Sequence, residues 1–78
     1  MGQVKIGVRG HVVKYFPGEQ ERFLVDIAAP TTVLHLLERL RVDHLLIMMV
    51  HINGHKQPKT AIINPGDEVL FFSPPAGG

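Results

Sequence analysis

Residues 64–72, Asn64-Pro65-Gly66-Asp67-Glu68-Val69-Leu70-Phe71-Phe72, read as a tight turn feeding a strand. Proline presets φ and glycine accepts positive φ, so the first four residues reverse the chain. Side chains alternate across a strand, so if Val69 and Phe71 face a core, Leu70 and Phe72 face the opposite side. Upstream, Asn53-Gly54 is the strongest two-residue turn signal in the chain, between a β-branched and methionine-containing run at 47–52 and a short strand near 55–57. Pro58 cannot donate to a ladder and confines that short piece to an edge or a strand end. Turning Val50 and Ile52 inward sends Met49 and His51 outward, so Met49, Leu70 and Phe72 are expected to share an exposed apolar patch. The alternative is that the irregular segment at 10–20 covers some of them.

Further toward the N-terminus, Val4, Ile6 and Val8 alternate with Lys5, Gly7 and Arg9, the period of a half-buried strand over 3–9. Residues 22–27 resume that period and predict an antiparallel partner. Residues 11–16, between Gly10 and the breaker pair Pro17-Gly18, read equally as continued strand or irregular excursion. Pro30-Thr31-Thr32 stops the strand and offers hydroxyls to the free N–H groups of a helix start, although no Glu or Gln completes a capping box. Val33, Leu36, Leu37 and Leu40 then recur at helical spacing, and the helix is expected to end near Arg41 or Val42. The predicted architecture is α+β: a mixed sheet of four or five strands with one main helix packed across one face. The division is a domain at 1–73 and an extended arm at 74–78.

That arm is Pro74-Pro75-Ala76-Gly77-Gly78. Two prolines stiffen an exit from the sheet, and two glycines let a narrow channel close around bare backbone. The carboxylate of Gly78 would be the least hindered acyl group the chain can present. Joined to a phosphate-bearing leaving group, it becomes an electrophile that a sulfur or amine nucleophile reaches without meeting a side chain. Taken alone, a glycine-rich end reads as frayed polypeptide. Beside an apolar patch on the last strand, it reads as an arm that a partner grips and threads.

Asn53-Gly54, Pro65-Gly66-Asp67-Glu68-Val69 and Phe71-Phe72-Ser73-Pro74-Pro75-Ala76-Gly77-Gly78 together resemble the small sulfur carriers of the ubiquitin-like β-grasp class. The likeness is greatest to the small subunit of molybdopterin synthase, with the thiamine-pathway sulfur carrier as a sister family. It covers the whole chain in element order and is sharp over 50–78. Ser73 stands where that subunit runs directly into its prolines, the arm lacks a residue before its small residue, and residues 11–16 do not match the family's helical segment.

The resemblance implies that an E1-like adenylating enzyme activates Gly78 with ATP. A sulfurtransferase or cysteine desulfurase then supplies the sulfur of a thiocarboxylate, and a larger molybdopterin synthase subunit receives the tail. Gly78 would carry the acyl adenylate and then the sulfur, while Gly77, Ala76 and Pro75 would insert. Phe72, Leu70, Met49 and Phe71 would touch the partner. No tightly bound cofactor and no catalytic side chain of the chain's own is expected, so it would be a sulfur-donating subunit. The same activated acyl group allows a second role as a protein modifier joined through Gly78 to lysines, and a thiamine-pathway carrier is a further alternative.

Composition fits these expectations. The 78 residues carry net charge +1, 45% hydrophobic residues and no cysteine, which leaves neither disulfides nor a cysteine nucleophile. A chain of this size buries about 60–65% of its unfolded surface, enough for one modest core. The run at 45–50 falls far short of the ~18 apolar residues that span a bilayer, so a soluble cytoplasmic protein without membrane association is expected. Interspersed charge gives no nucleic-acid footprint. Five histidines invite a metal site, but His51 and His55 lie on different rungs of the predicted hairpin and the others lack ligand spacing, so none is expected. Asp67-Glu68 point to opposite faces and do not form a paired acid–base site.

Overall fold

The computed structural model of the protein describes residues 2–73. Strand β1 (Gly2–Arg9) buries Val4, Ile6 and Val8 and turns Lys5 and Arg9 to the other side. Strand β2 (Arg22–Ile27) pairs with it antiparallel, placing Phe23 opposite Ile6 and Val25 opposite Val4. Between them the chain makes two 3-10 turns, His11–Tyr15 and Pro17–Glu19, so the excursion and not the continued strand is realised. This segment delivers Val12 and Phe16 to the core, where Phe16 stacks on Phe71 with ring centroids 5.5 Å apart.

Strand β3 (Thr31–Thr32) leads directly into helix α1 (Val33–Arg39). The first N–H groups of a helix have no intrahelical acceptor, and here each finds one nearby. Val33 N–H donates to Ala61 O at 3.1 Å, Leu34 N–H to Lys59 O at 3.0 Å, and His35 N–H to the Thr32 hydroxyl at 3.1 Å. The expected hydroxyl cap is thus present, and backbone carbonyls satisfy the other two donors. They come from the segment around β6 (Ile62–Ile63), which pairs with β3 in a separate two-stranded sheet that the sequence reading did not include. Val33, Leu36 and Leu37 are buried on one stripe, as the spacing predicts.

The helix ends at Arg39, two or three residues before the expected stop. Arg41 adopts φ 61°, its N–H bonds Glu38 O, and Val42 N–H bonds Leu37 O at 2.9 Å. That pair of bonds around a left-handed residue is a Schellman closure, with buried Val42 and Leu37 supplying its apolar contact. Next, Asp43 accepts from Leu45 N–H at 2.9 Å and caps a 3-10 turn at His44–Leu46. The following strand, β4 (Met49–Ile52), therefore starts two residues later than the apolar run suggests. It turns through Asn53-Gly54 into β5 (His55–Gln57), with His51 opposite Lys56 and Ile52 opposite His55, the register read from a two-residue loop.

Strand β7 (Glu68–Phe72) completes a five-stranded mixed sheet of order β2-β1-β7-β4-β5, parallel to β1 and antiparallel to β4. The two turns flanking the β4–β7 pair are tied together. Asn53 donates from its side-chain amide to Asp67 at 3.0 Å and accepts from Glu68 N–H at 2.9 Å, while Asp67 also accepts from Asn64 N–H. The core lies between the helix stripe and the inner sheet face, giving the α+β, ubiquitin-like β-grasp architecture. No helix among the described residues is long and apolar enough to cross a membrane.

Candidate functional site

The central strand β7 sorts its side chains as the two-residue period requires. Val69 and Phe71 are fully buried among the core residues, whereas Leu70 and Phe72 lie half-buried on the outer face. Met49 stands in register opposite Phe72 on that face, and His51 opposite Leu70. The His51 ring lies 5.0 Å from the Phe72 ring, tilted by 56°. Met49, Leu70 and Phe72 therefore share one side of the sheet. Within the irregular segment at 10–20, Val12 and Phe16 turn to the interior.

Phe71 does not belong to this patch. Its side chain is 0% exposed and sits between inner-face residues and Phe16, so it holds the core and has no surface to offer a partner. The physical reason is strand alternation: two adjacent aromatics cannot face the same way.

At the end of β7 the backbone is held from both sides. Met48 N–H donates to Phe72 O at 2.8 Å, and Ser73 donates to Arg9 O from its backbone N–H at 3.2 Å and from its hydroxyl at 3.3 Å. Ser73 is thus the fixed root from which the remaining residues start. Pro75, Ala76, Gly77 and Gly78, the expected insertion and acyl residues, lie outside the described residues, as does the whole arm at 74–78.

Two exposed apolar residues in the segment entering β4 carry no separate signal of their own in the sequence. Met48, 64% exposed, is bonded through its amide to Phe72 O, and Leu45 lies exposed in the preceding 3-10 turn. The available signal was the unbroken run at 45–50, longer than one buried face can absorb. Among the described residues no three His, Asp or Glu side chains converge in a group able to hold a metal.

A family profile matches residues 13–78, and it is that of the ThiS family. The chain belongs to the ThiS family. Its members are ubiquitin-like β-grasp sulfur carriers, in agreement with the resemblance carried by the Asn53-Gly54 turn and the strand-to-diglycine stretch. Three solved structures share the fold. Urm1 from Trypanosoma brucei, in solution, is 19% identical, with TM-score 0.74 over 99% of this chain and 96% of that one. The crystal structure of SAMP1 from Haloferax volcanii is 19% identical, with TM-score 0.72 over 99% of this chain and 100% of that one. The complex of subunits 1 and 2 of molybdopterin-converting factor from Helicobacter pylori 26695 contains a chain 17% identical, with TM-score 0.61 over 97% of this chain and 99% of that one. No curated protein matches the sequence. Within this ThiS-family chain, half-buried Leu70 and Phe72 lie on the outer face of β7, and Ser73 directly follows that strand.

Proposed function

We propose that this ThiS-family protein carries sulfur as a thiocarboxylate on Gly78. The observation that carries the reading is the anchored root: Ser73 is bonded twice to Arg9 O beside half-exposed Phe72, so the last five residues start from a fixed point. Covalent geometry limits five extended residues to a reach of about 18 Å, the scale of a channel through a partner's surface. An E1-like enzyme would join the Gly78 carboxylate to the α-phosphorus of ATP, releasing pyrophosphate. The terminal sulfur of a persulfide on a sulfurtransferase or cysteine desulfurase would then displace AMP. A thiol attacking the donor sulfur of the resulting acyl disulfide would break the S–S bond, leaving the thiocarboxylate on Gly78 and a disulfide on the donor side. The chain supplies the acyl group and its presentation, and its own side chains move no protons in these steps.

The finer proposal is that the acceptor is a larger molybdopterin synthase subunit in the cytoplasm, into which Pro75, Ala76 and Gly77 insert while Phe72, Leu70 and Met49 dock. It is supported by the sequence likeness of the arm and by the β-grasp fold shared with a chain of the molybdopterin-converting factor complex.

Intact mass after incubation with ATP, activating enzyme and sulfur donor tests the first proposal. The expected rise equals the difference between one sulfur and one oxygen, and deleting Gly78 abolishes it. Full biological activity without Gly77 and Gly78 would sink the reading. Co-purification with a larger synthase subunit supports the acceptor; isopeptide remnants on lysines, or co-purification with a thiazole-forming enzyme, would replace it with a protein-modifier or thiamine-pathway role.

A further inference from the structure

On the outer sheet face, adjoining the Met49 and Phe72 patch through Leu70 and through Arg9, which pairs with Phe72, a groove of about 560 Å³ extends across β1 to β2 and is lined chiefly by Lys5, Gly7, Arg22, Leu24, Glu68 and Leu70. Strand register explains it. Gly7 stands between Arg22 of β2 and Leu70 of β7, so the row has no side chain at its centre. Leu70 leans over that gap so closely that a β-carbon on Gly7 would collide with its Cδ2 atom. Leu24, beside Lys5 on the next row, is 55% exposed and forms the opposite apolar wall. The charged lining is three cations, Lys5, Arg9 and Arg22, against the carboxylate of Glu68.

We infer that this groove docks a protein segment in which one large aliphatic side chain is flanked by carboxylates. The aliphatic walls provide favourable apolar burial for such a side chain, and the excess of cations attracts its acidic neighbours and sets their orientation. Nucleic acid fits poorly, because the exposed walls are leucines and the one aromatic in the lining, Phe23, packs its ring toward the core against Phe16 at 6.1 Å, leaving no stacking platform. A flat lipid surface does not reach the floor of a concavity. The inference goes beyond sulfur carriage, since it concerns a contact on the unactivated domain.

The test is an amide-shift titration of the full-length, unactivated protein with a short synthetic peptide having a central leucine and two aspartates on each side. The largest shifts are expected at Lys5, Gly7, Arg22, Leu24 and Leu70, declining as salt screens the rim. Arg22→Glu weakens binding about fivefold or more, and Leu24→Ser, at an exposed edge position, removes the leucine-dependent shifts while leaving the spectrum otherwise intact. The same peptide with serine in place of leucine leaves those residues unshifted. Equal shifts with the serine peptide, shifts centred on Met49 and Phe72, or no shifts at all would each overturn the inference. So would groove shifts that depend on protein concentration without peptide, which assign the groove to a second copy. Because no ATP or activating enzyme is present, the outcome is separate from the fate of Gly78.

Discussion

Gly10 packs against Ser73 so tightly that a β-carbon on Gly10 would overlap the Ser73 hydroxyl oxygen. Gly10 also holds φ 89° and ψ −162°, a region open essentially to glycine alone. Both constraints act at the root of the arm, where Ser73 bonds Arg9 O twice. Gly10→Ala is therefore expected to destabilise the domain by about 1–3 kcal/mol. For a domain of this size, each kcal/mol lowers Tm by roughly 4–8 °C. Hydrogen exchange at the Ser73 amide should accelerate in the same variant. Ser73→Ala removes one long hydroxyl bond and costs no more than about 1 kcal/mol. Adding Ser73→Gly to Gly10→Ala should restore only the part of the loss that arises from overlap. A Gly10→Ala protein with unchanged Tm would refute the claim that this contact fixes the exit of the chain.

Phe71 and Phe72 are neighbours in sequence with opposite environments, and truncation separates them. Phe71→Ala empties a fully buried site stacked on Phe16 and is expected to cost about 3–5 kcal/mol. A domain of this length has a total stability of roughly 4–12 kcal/mol, so that loss is severe. Phe72→Ala, on the outer face beside His51, is expected to cost about 1–2 kcal/mol. Its main effect should be weaker capture by the partner that receives the arm. Urea unfolding measures the first difference, and binding to the activating enzyme or synthase subunit measures the second.

What the sequence shows and what it hides follows from the range over which each signal acts. The alternation in β1, β2 and β7, the spacing of Val33, Leu36 and Leu37, and the Asn53-Gly54 register are all carried by residues within a few positions of one another, and all appear in the fold. The β3–β6 pair does not show itself, because two residues such as Ile62 and Ile63 are too few to reveal a period. The 3-10 turn bearing Val12 and the start of β4 at Met49 are set by tertiary packing and by the Asp43 cap, which override a plain count of apolar residues. The site is divided in the same way. Met49, Leu70 and Phe72 follow from alternation alone. The Gly7 gap beneath Leu70 depends on the parallel pairing of β1 with β7, strands more than sixty positions apart that no local pattern aligns.

The helix terminus gives a prediction of opposite sign. Arg41 closes the Schellman turn at φ 61°, and glycine accepts that conformation without the strain an exposed arginine bears there. Arg41→Gly should therefore leave the protein unchanged or more stable by up to about 1 kcal/mol, even though glycine lowers stability in most helical settings. The bonds from Arg41 N–H to Glu38 O and from Val42 N–H to Leu37 O are backbone bonds and survive the change. Thermal unfolding checks this directly, with Leu40→Gly one residue earlier, at φ −80°, as the destabilising contrast.

Steric freedom at Gly78 is the most demanding part of the sulfur-carrier proposal, because it predicts failure from a single methyl group outside the core. Gly78→Ala keeps the carboxylate, its charge and the length of the arm, and adds one Cβ where an activating enzyme would close around bare backbone. Its Tm should equal that of the parent, since every residue of the described core lies before Ser73. Its rate of conversion to the thiocarboxylate should fall by at least about tenfold, equivalent to ~1.4 kcal/mol in the transition state. Gly77→Ala should act in the same direction, whereas Ala76→Gly should not, because removing a side chain cannot obstruct a channel. Unchanged conversion by both alanine variants, measured by intact mass over time, would show that the activating site does not read the missing side chains.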